Sequence, residues 1–384
     1  MALTSFFYCR TVRLGGGRSG KKKERINGGC HSHLVRKRGA VMRSNTDNER
    51  SMTTMKSHRL LTAAGFALTL ALSGVLAGCG SSTSSTSTSS TPAATVAKAV
   101  ENFTTTAALA AEQQNVLVVD VRAFSAYSTG HIPGAIRNTV SLNSATASAT
   151  GLPGTLGLTQ AEFVALADKL GITPSTKVVA YDTDNSSSVG RFVWTLLRYG
   201  HKNVAILDGG YQKWIAEGRA KATKANSTTP TANTISYAVT STADIDVSAS
   251  YVLSRINVPG TVIWDARTPL EYIGYDLRTN PRGGHIPYAV NLDWTNLQQQ
   301  GSTGAYVLKS STDILALLAQ YGITPDKEII VHCQAGVRSA YASDTLLGLG
   351  FTRVKNYTGS WGEWSAAKDT SGNYVYPIST GTNP

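Results

Sequence analysis

One cysteine stands where it could do chemistry. In "EIIVHCQAGVRSAYASDTLLGLGF", residues 328–351, an apolar run ends at Cys333, a short loop with one glycine follows, and a helical pattern begins. "EIIVHC" reads as a buried strand. "SAYASDTLLGLGF" reads as a helix with Ala340, Leu346 and Leu347 on one side and a stop at Gly350. The loop therefore lies at the carboxyl end of a parallel strand, where α/β folds place ligands. Its N–H groups and the positive end of the helix converge on a hollow suited to an anion. A thiol in that hollow ionises more easily than a free one, and Arg338 adds a full positive charge at the rim. Such a thiolate is a nucleophile. The alternative, a small buried structural cysteine, requires neither a glycine-bearing loop nor an arginine five residues on. Cys333 also lacks a disulfide partner, because the other cysteines, Cys9, Cys30 and Cys79, fall in or before an export signal. Exported chains use an unpaired thiol or hide it.

The elements that must position this loop come in a regular alternation. "NVLVVDVR", "TQAEFVALADKLG", "TKVVAYD", "SVGRFVWTLLRYG", "NVAILDGG" and "YQKWIAEG" alternate strands with helices, the pattern of a parallel sheet covered on both faces. The order then repeats at offsets of 145 to 154 residues. "LVVDVRAFSAYSTGHIPGAIRNT" answers "VIWDARTPLEY…RGGHIPYAVNLDW", and "NVAILDGGYQKW" answers "RVKNYTGSWGEW". A tandem duplication follows, with two domains of about 130 residues each. Aligning "VVAYD" with "IIVHC" puts Asp182 where Cys333 stands. Asp182 alone would read as a helix N-cap carboxylate.

The pairs "DVR" with "GHIPGA" and "DAR" with "GHIPYA", the cysteine loop and "GSWGEW" together resemble the rhodanese, or sulfurtransferase, family in its tandem two-domain form, over residues 100–367. The resemblance implies an α/β fold of two rhodanese-like domains, each a parallel sheet of about five strands with helices on both faces. It implies an inactive first domain, an active second one, and a site in the cleft between them. Cys333 and Arg338 frame C-x4-R, shorter than the C-x5-R ring of cysteine phosphatases and arsenate reductases, and in the family this tighter loop cradles a terminal sulfur. By resemblance, Cys333 takes a sulfane sulfur from a donor as a persulfide and passes it to a thiophilic acceptor such as cyanide or a thiol. The loop N–H groups from Gln334 through Ala335, Gly336, Val337 and Arg338 to Ser339 would stabilise it, and no metal or organic cofactor is implied. Arg267 resembles the basic residue that faces an anionic donor, although pairing with Asp265 or Glu271 is an equal alternative. Arg338 grips substrate or ties the loop's own carbonyls. Arg282 reads as solvated, His285 as structural because its copy His131 lies in the half without a cysteine, and Trp361 and Trp364 as core. His332 points to the far face of its strand. Gln334–Ala335 matches neither the basic pair of thiosulfate enzymes nor the Gly-Ser of mercaptopyruvate enzymes, and "GVRS" is more like single-domain members. The two arginines favour thiosulfate. A sulfur carrier or redox-sensing module is the second reading.

The net charge of +12 invites a nucleic-acid partner, yet residues 1–59 carry 14 of the 36 basic and 3 of the 24 acidic residues, leaving 22 against 21 for the rest. The folded part is nearly neutral, and nucleic acid is set aside. Residues 55–79, "MKSHRLLTAAGFALTLALSGVLAGC", have a basic head, an apolar run and a small-residue end, the layout of a secretory signal. Its ending resembles a lipoprotein lipobox, which implies lipid attachment at Cys79 and a membrane-tethered, periplasm-facing protein. Residues 1–54 read as a basic extension, with translation starting at Met52 or Met55. Residues 80–98 are a Ser/Thr-rich tether. The first domain is expected over 99–222, a connector over 223–250 and the second domain over 251–384.

Overall fold

A run of β-branched residues cannot form a lone strand in water; it needs neighbours on both edges and cover on both faces. A computed structural model gives the architecture over residues 99–138, 141–142, 157–224, 237–239 and 244–382. The expected basic extension, the export signal with Cys79 and nearly all of the tether lie outside these described residues, as does part of the connector.

The first half runs β1 (Phe103–Thr104), α1 (Thr106–Glu112), β2 (Leu117–Asp120), α2 (Phe124–Thr129), β3 (Ile136–Arg137), α3 (Gln160–Leu170), β4 (Val178–Tyr181), α4 (Ser187–Arg198), β5 (Val204–Leu207) and α5 (Gly210–Ala216). Its five strands are all parallel, in the order β1-β5-β4-β2-β3. The second half runs α6 (Ala249–Leu253), β6 (Thr261–Asp265), α7 (Pro269–Tyr272), β7 (Val290–Asn291), a small antiparallel hairpin of β8 (Gln298–Gln300) and β9 (Tyr306–Leu308), α8 (Ser311–Gln320), β10 (Glu328–His332), α9 (Val337–Gly348), β11 (Val354–Asn356) and α10 (Ser360–Ala366). Its parallel sheet has four strands, β11-β10-β6-β7. The expected fifth is reduced to a single parallel bridge between Asp246 and Asn356, with Val247 donating to the Asn356 carbonyl at 3.1 Å.

Alternation along the strands sends side chains to both faces. In β2 and β4, Val119, Val178 and Ala180 pack with Phe163 and Leu166 of α3 and Phe192 of α4, while Val118, Val179 and Tyr181 pack with Leu109 of α1 and Trp214 of α5. In β10, Ile329 and Val331 join Ile314 and Leu346, while Ile330 joins Val252, Trp361 and Trp364. The α3–α4 core of the first half is continuous with the α8–α9 core of the second. The join is made by α4 and α9, the equivalent helices of the two halves. Gly190 permits it: a Cβ there would lie 2.5 Å from the backbone Cα of Tyr341.

Candidate active site

β10 ends at His332, α9 begins at Val337, and the loop between them holds Cys333, buried to 1% exposure and a free thiol. Burial opposes ionisation of this thiol. The Arg338 charge, the amides of Ser339 and Ala335 and the Ser339 hydroxyl outweigh it and hold the thiol below its ordinary range. Ser339 is wholly buried, and its hydroxyl is among the groups that lower the Cys333 pKa.

The loop's shape is set from outside it. The Ser360 hydroxyl, at the start of α10, accepts from the amides of Cys333 at 3.1 Å and Gly336 at 3.0 Å and donates to the Tyr357 carbonyl at 2.8 Å. Trp361 and Gly362 donate their amides to the carbonyls of Cys333 and Gln334. Gly336 has a φ of 74°, and a Cβ there would meet the Thr358 carbonyl at 2.7 Å, so only glycine fits. Ser360 has a φ of 55° without being glycine, a left-handed conformation that its three hydrogen bonds hold in place.

Several expected roles need correction. The Gly336 amide serves Ser360 rather than the sulfur, because the left-handed turn points it away. Gln334 is tied by its side chain to Asn280 in a reciprocal amide pair of 2.9 and 2.7 Å. Arg267 does not face a donor: it is 1% exposed, its guanidinium grips both oxygens of Asp265 at 2.6 to 3.1 Å, and it donates to the Gly284 carbonyl. Arg122 makes the same bonds to Asp120 and Gly130 in the half without a cysteine, so the motif is scaffolding. Arg338 bonds neither loop carbonyls nor open cleft; Glu271 holds it by two bonds of 2.7 and 2.8 Å. Glu271 is also the capping-box carboxylate of α7, and although burial opposes its charge, Arg338 keeps it below the usual carboxylate range. Arg282 is not solvated but donates to the carbonyls of Trp364 and Ser365 at the end of α10 and of Tyr376 beyond it.

His285 stacks on Tyr272 with ring centres 3.7 Å apart, as His131 does on Tyr127 at 3.8 Å. Trp361 and Trp364 are buried, and Trp361 lies under the Arg267 guanidinium. His332 is fully buried, with Nε2 3.6 Å from Asp265, and burial lowers its pKa to about 4. It is neutral at pH 7 and faces the scaffold, not the thiol.

A cleft of about 370 Å³ opens between the halves, lined on one side by Arg122, Arg137, Ser188 and Arg191 and on the other by Val337 of the cysteine loop. Arg137 is half-buried beside the ring of Phe124, and among the described residues no carboxylate pairs with it. The reading of the sequence passed over Ser360 and Arg191. Ser360 was signalled by its own repeat, since "GSW" replaces the "GGY" of the first half.

A rhodanese-like domain model matches twice, over residues 104–217 and 248–367. The chain belongs to the rhodanese family. It is 35% identical over 257 residues to a thiosulfate sulfurtransferase of Pseudomonas aeruginosa, spanning 66% of this chain and 90% of that protein. It is 36% identical over 259 residues to the thiosulfate sulfurtransferase of Azotobacter vinelandii, with the same coverage. The sulfur carrier protein TtuD of Thermus thermophilus is 33% identical over 260 residues, 62% of this chain and 83% of that protein. The wild-type structure of EanB shares the fold with a TM-score of 0.60 at 22% identity, covering 73% of this chain and 69% of that one. The protein is thus a tandem-domain sulfurtransferase.

In this rhodanese the two halves are unequal. Asp182, in the place of Cys333, accepts from the Thr183 amide and the Ser186 hydroxyl. The counterpart cleft beside it, about 530 Å³, is lined by Asp184, Asn185, Ser186, Trp294, Thr295, Gln298 and Tyr306. That lining carries no arginine and no thiol. Of these two clefts, the one that carries arginines is the one beside the cysteine loop.

Proposed function

We propose that the protein moves a sulfane sulfur from thiosulfate, or a related anionic donor, to a thiophilic acceptor through a persulfide on Cys333. The Cys333 thiolate attacks the outer sulfur of the donor, the donor's S–S bond breaks, and sulfite leaves with the electron pair. The acceptor, cyanide or a thiolate, then attacks the terminal sulfur of Cys333–S–S⁻ and releases the Cys333 thiolate. The observation that carries this reading is a buried thiol held below its usual range by Arg338 and by amides of its own loop. Two of the similar proteins are thiosulfate sulfurtransferases. The arginines that favour an anionic donor are Arg137 and Arg191 of the cleft, in place of Arg267 and Arg338. A phosphatase reading is disfavoured by the narrow C-x4-R loop and by the Glu271 clamp on its arginine. A sulfur-carrier reading has its own support in the 33% identity to TtuD. The proposal extends to location: a lipid on Cys79 and a periplasm-facing domain pair.

The test is thiosulfate plus cyanide scored for thiocyanate, with Cys333→Ala alongside. Turnover abolished in the variant supports the enzyme. A stable protein persulfide with no thiocyanate would replace it with the carrier.

A further inference from the structure

The two halves exchange a side chain across the α4–α9 join. Counted from their first residues, Arg191 of α4 and Tyr341 of α9 occupy the same fifth position. The match is exact in hydrogen bonding too: Thr195 donates to the Arg191 carbonyl at 2.8 Å and Thr345 to the Tyr341 carbonyl at 2.9 Å. Each of the two side chains is sent into the other half. Tyr341 is fully buried, and its hydroxyl lies within the field of Asp184 and Asp208, around the loop of the inactive half. Arg191 is 2% exposed, and its Nη1 donates to the Gly336 carbonyl of the cysteine loop at 3.3 Å. It also lines the cleft beside Val337. The loop that holds a thiolate receives a cation, and the loop that holds carboxylates receives a neutral phenol.

We infer that Arg191, carried by the inactive half, is a positioning residue of the active loop: it fixes the Gly336 carbonyl and supplies the second positive charge that keeps the Cys333 sulfur an anion. The inference deepens the sulfur-transfer reading and rests on it. Its cost is visible, since burying a guanidinium is unfavourable. Burial lowers the pKa of Arg191 to about 10, against the pull of Asp246 and of the Cys333 thiolate. The other charged groups around the sulfur are accounted for. Arg338 from α9 is clamped by Glu271 from α7, Arg267 by Asp265 from β6, and neutral His332 faces Asp265. Arg198 of α4 pairs with Asp246 at 3.3 Å.

The experiment follows the pH profile of Cys333 alkylation by iodoacetamide in the full chain, read as the adduct on the Cys333 peptide by mass spectrometry. It needs neither donor nor acceptor, so it stands apart from any failure of thiosulfate turnover. Arg191→Met should move the profile to higher pH and slow alkylation at pH 7 about tenfold, the size of one pKa unit. Arg191→Lys, which restores the charge, should recover most of that loss. Tyr341→Phe, which alters the same join from the other side, should leave the profile where it is. A profile for Arg191→Met that overlays the native one overturns the inference, and so does a shift that Arg191→Lys fails to reverse. If Arg191→Met does not fold, Arg191→Gln takes its place: a profile moved to higher pH supports the charge role, and one that overlays the native profile overturns it.

Discussion

Removing one hydroxyl at Ser360 should undo the loop. In the native protein that oxygen, fully buried, is the acceptor for the amides of Cys333 and Gly336. Ser360→Ala leaves both buried N–H groups without their partner, at about 1–3 kcal/mol each by the usual cost of an unmade hydrogen bond. Because the loop borders a cleft that water can enter, the lower half of that range applies, giving about 2–4 kcal/mol in all. Ser360→Gly loses the same bonds but relieves the left-handed φ of 55°, about 1 kcal/mol. The glycine variant should therefore be the more stable of the two, which is the reverse of the ordinary order for these residues within a helix. Urea unfolding of the three proteins measures the differences, and sulfur transfer should fall in both variants because the loop no longer holds its turn. An alanine variant within about 0.5 kcal/mol of native, the scatter of ordinary surface changes, would refute the reasoning. So would an alanine variant more stable than the glycine one.

Glu271→Gln breaks a pair whose carboxylate is buried and should cost about 2–3 kcal/mol at pH 7, less than a fully buried pair because Arg338 is partly exposed. The depressed folded pKa of Glu271 means its contribution is present above the ordinary glutamate pKa and lost as pH falls through the folded value. Native and variant should therefore converge in urea titrations near pH 3. His332 is held neutral, with a pKa of about 4 against about 6.5 unfolded, so the unfolded chain binds the extra proton first. Stability should be complete above about pH 6.5 and fall by about 3 kcal/mol towards pH 4, and His332→Gln should flatten that slope in the same titration. Asp344 is fully buried in α9, with neither oxygen hydrogen-bonded, and burial raises its pKa well above the carboxylate range. Asp344→Asn should stabilise the fold by about 1–3 kcal/mol at neutral pH in thermal unfolding. That gain should grow as pH rises from 4, because only the unfolded chain releases the proton there.

Much of this was legible in the residues. The β-branched runs and the period of the helices gave the strand–helix alternation, and the near-identity of "GHIPGA" and "GHIPYA" gave the duplication. Cys333 at a strand end was recognisable because strand, loop and helix are contiguous in the chain. Local pattern failed where partners are distant. "DAR" reads the same whether Arg267 faces a ligand or Asp265, two residues away, and only the bidentate geometry decides. Arg338 lies 67 residues from Glu271, and the sequence holds no mark of their meeting. The fifth strand of the second sheet was expected from the family resemblance, but "ADIDVS" is too short an apolar run to make more than one bridge.

The first half is the harder thing to explain, because under the proposed mechanism Asp182, in the place of Cys333, cannot carry a sulfur. Two observations tie it to the second half. The core of the second domain is not closed by its own half: Tyr341, Ala342 and Leu346 of α9 belong to one apolar cluster with Val189, Phe192 and Val193 of α4. Stripped of α4, that face would be an exposed apolar patch of the kind that drives association. The second observation is electrostatic. The three arginines that line the cleft, Arg122, Arg137 and Arg191, all come from the first half, while Arg267 and Arg338 of the second half are bound to Asp265 and Glu271. The second half thus keeps the thiol, its amides and Arg338, and the first half lends Arg137 and Arg191 to the cleft. A second domain expressed alone should keep Cys333 and Arg338 but lose Arg191, so its alkylation profile should lie at higher pH than that of the full chain.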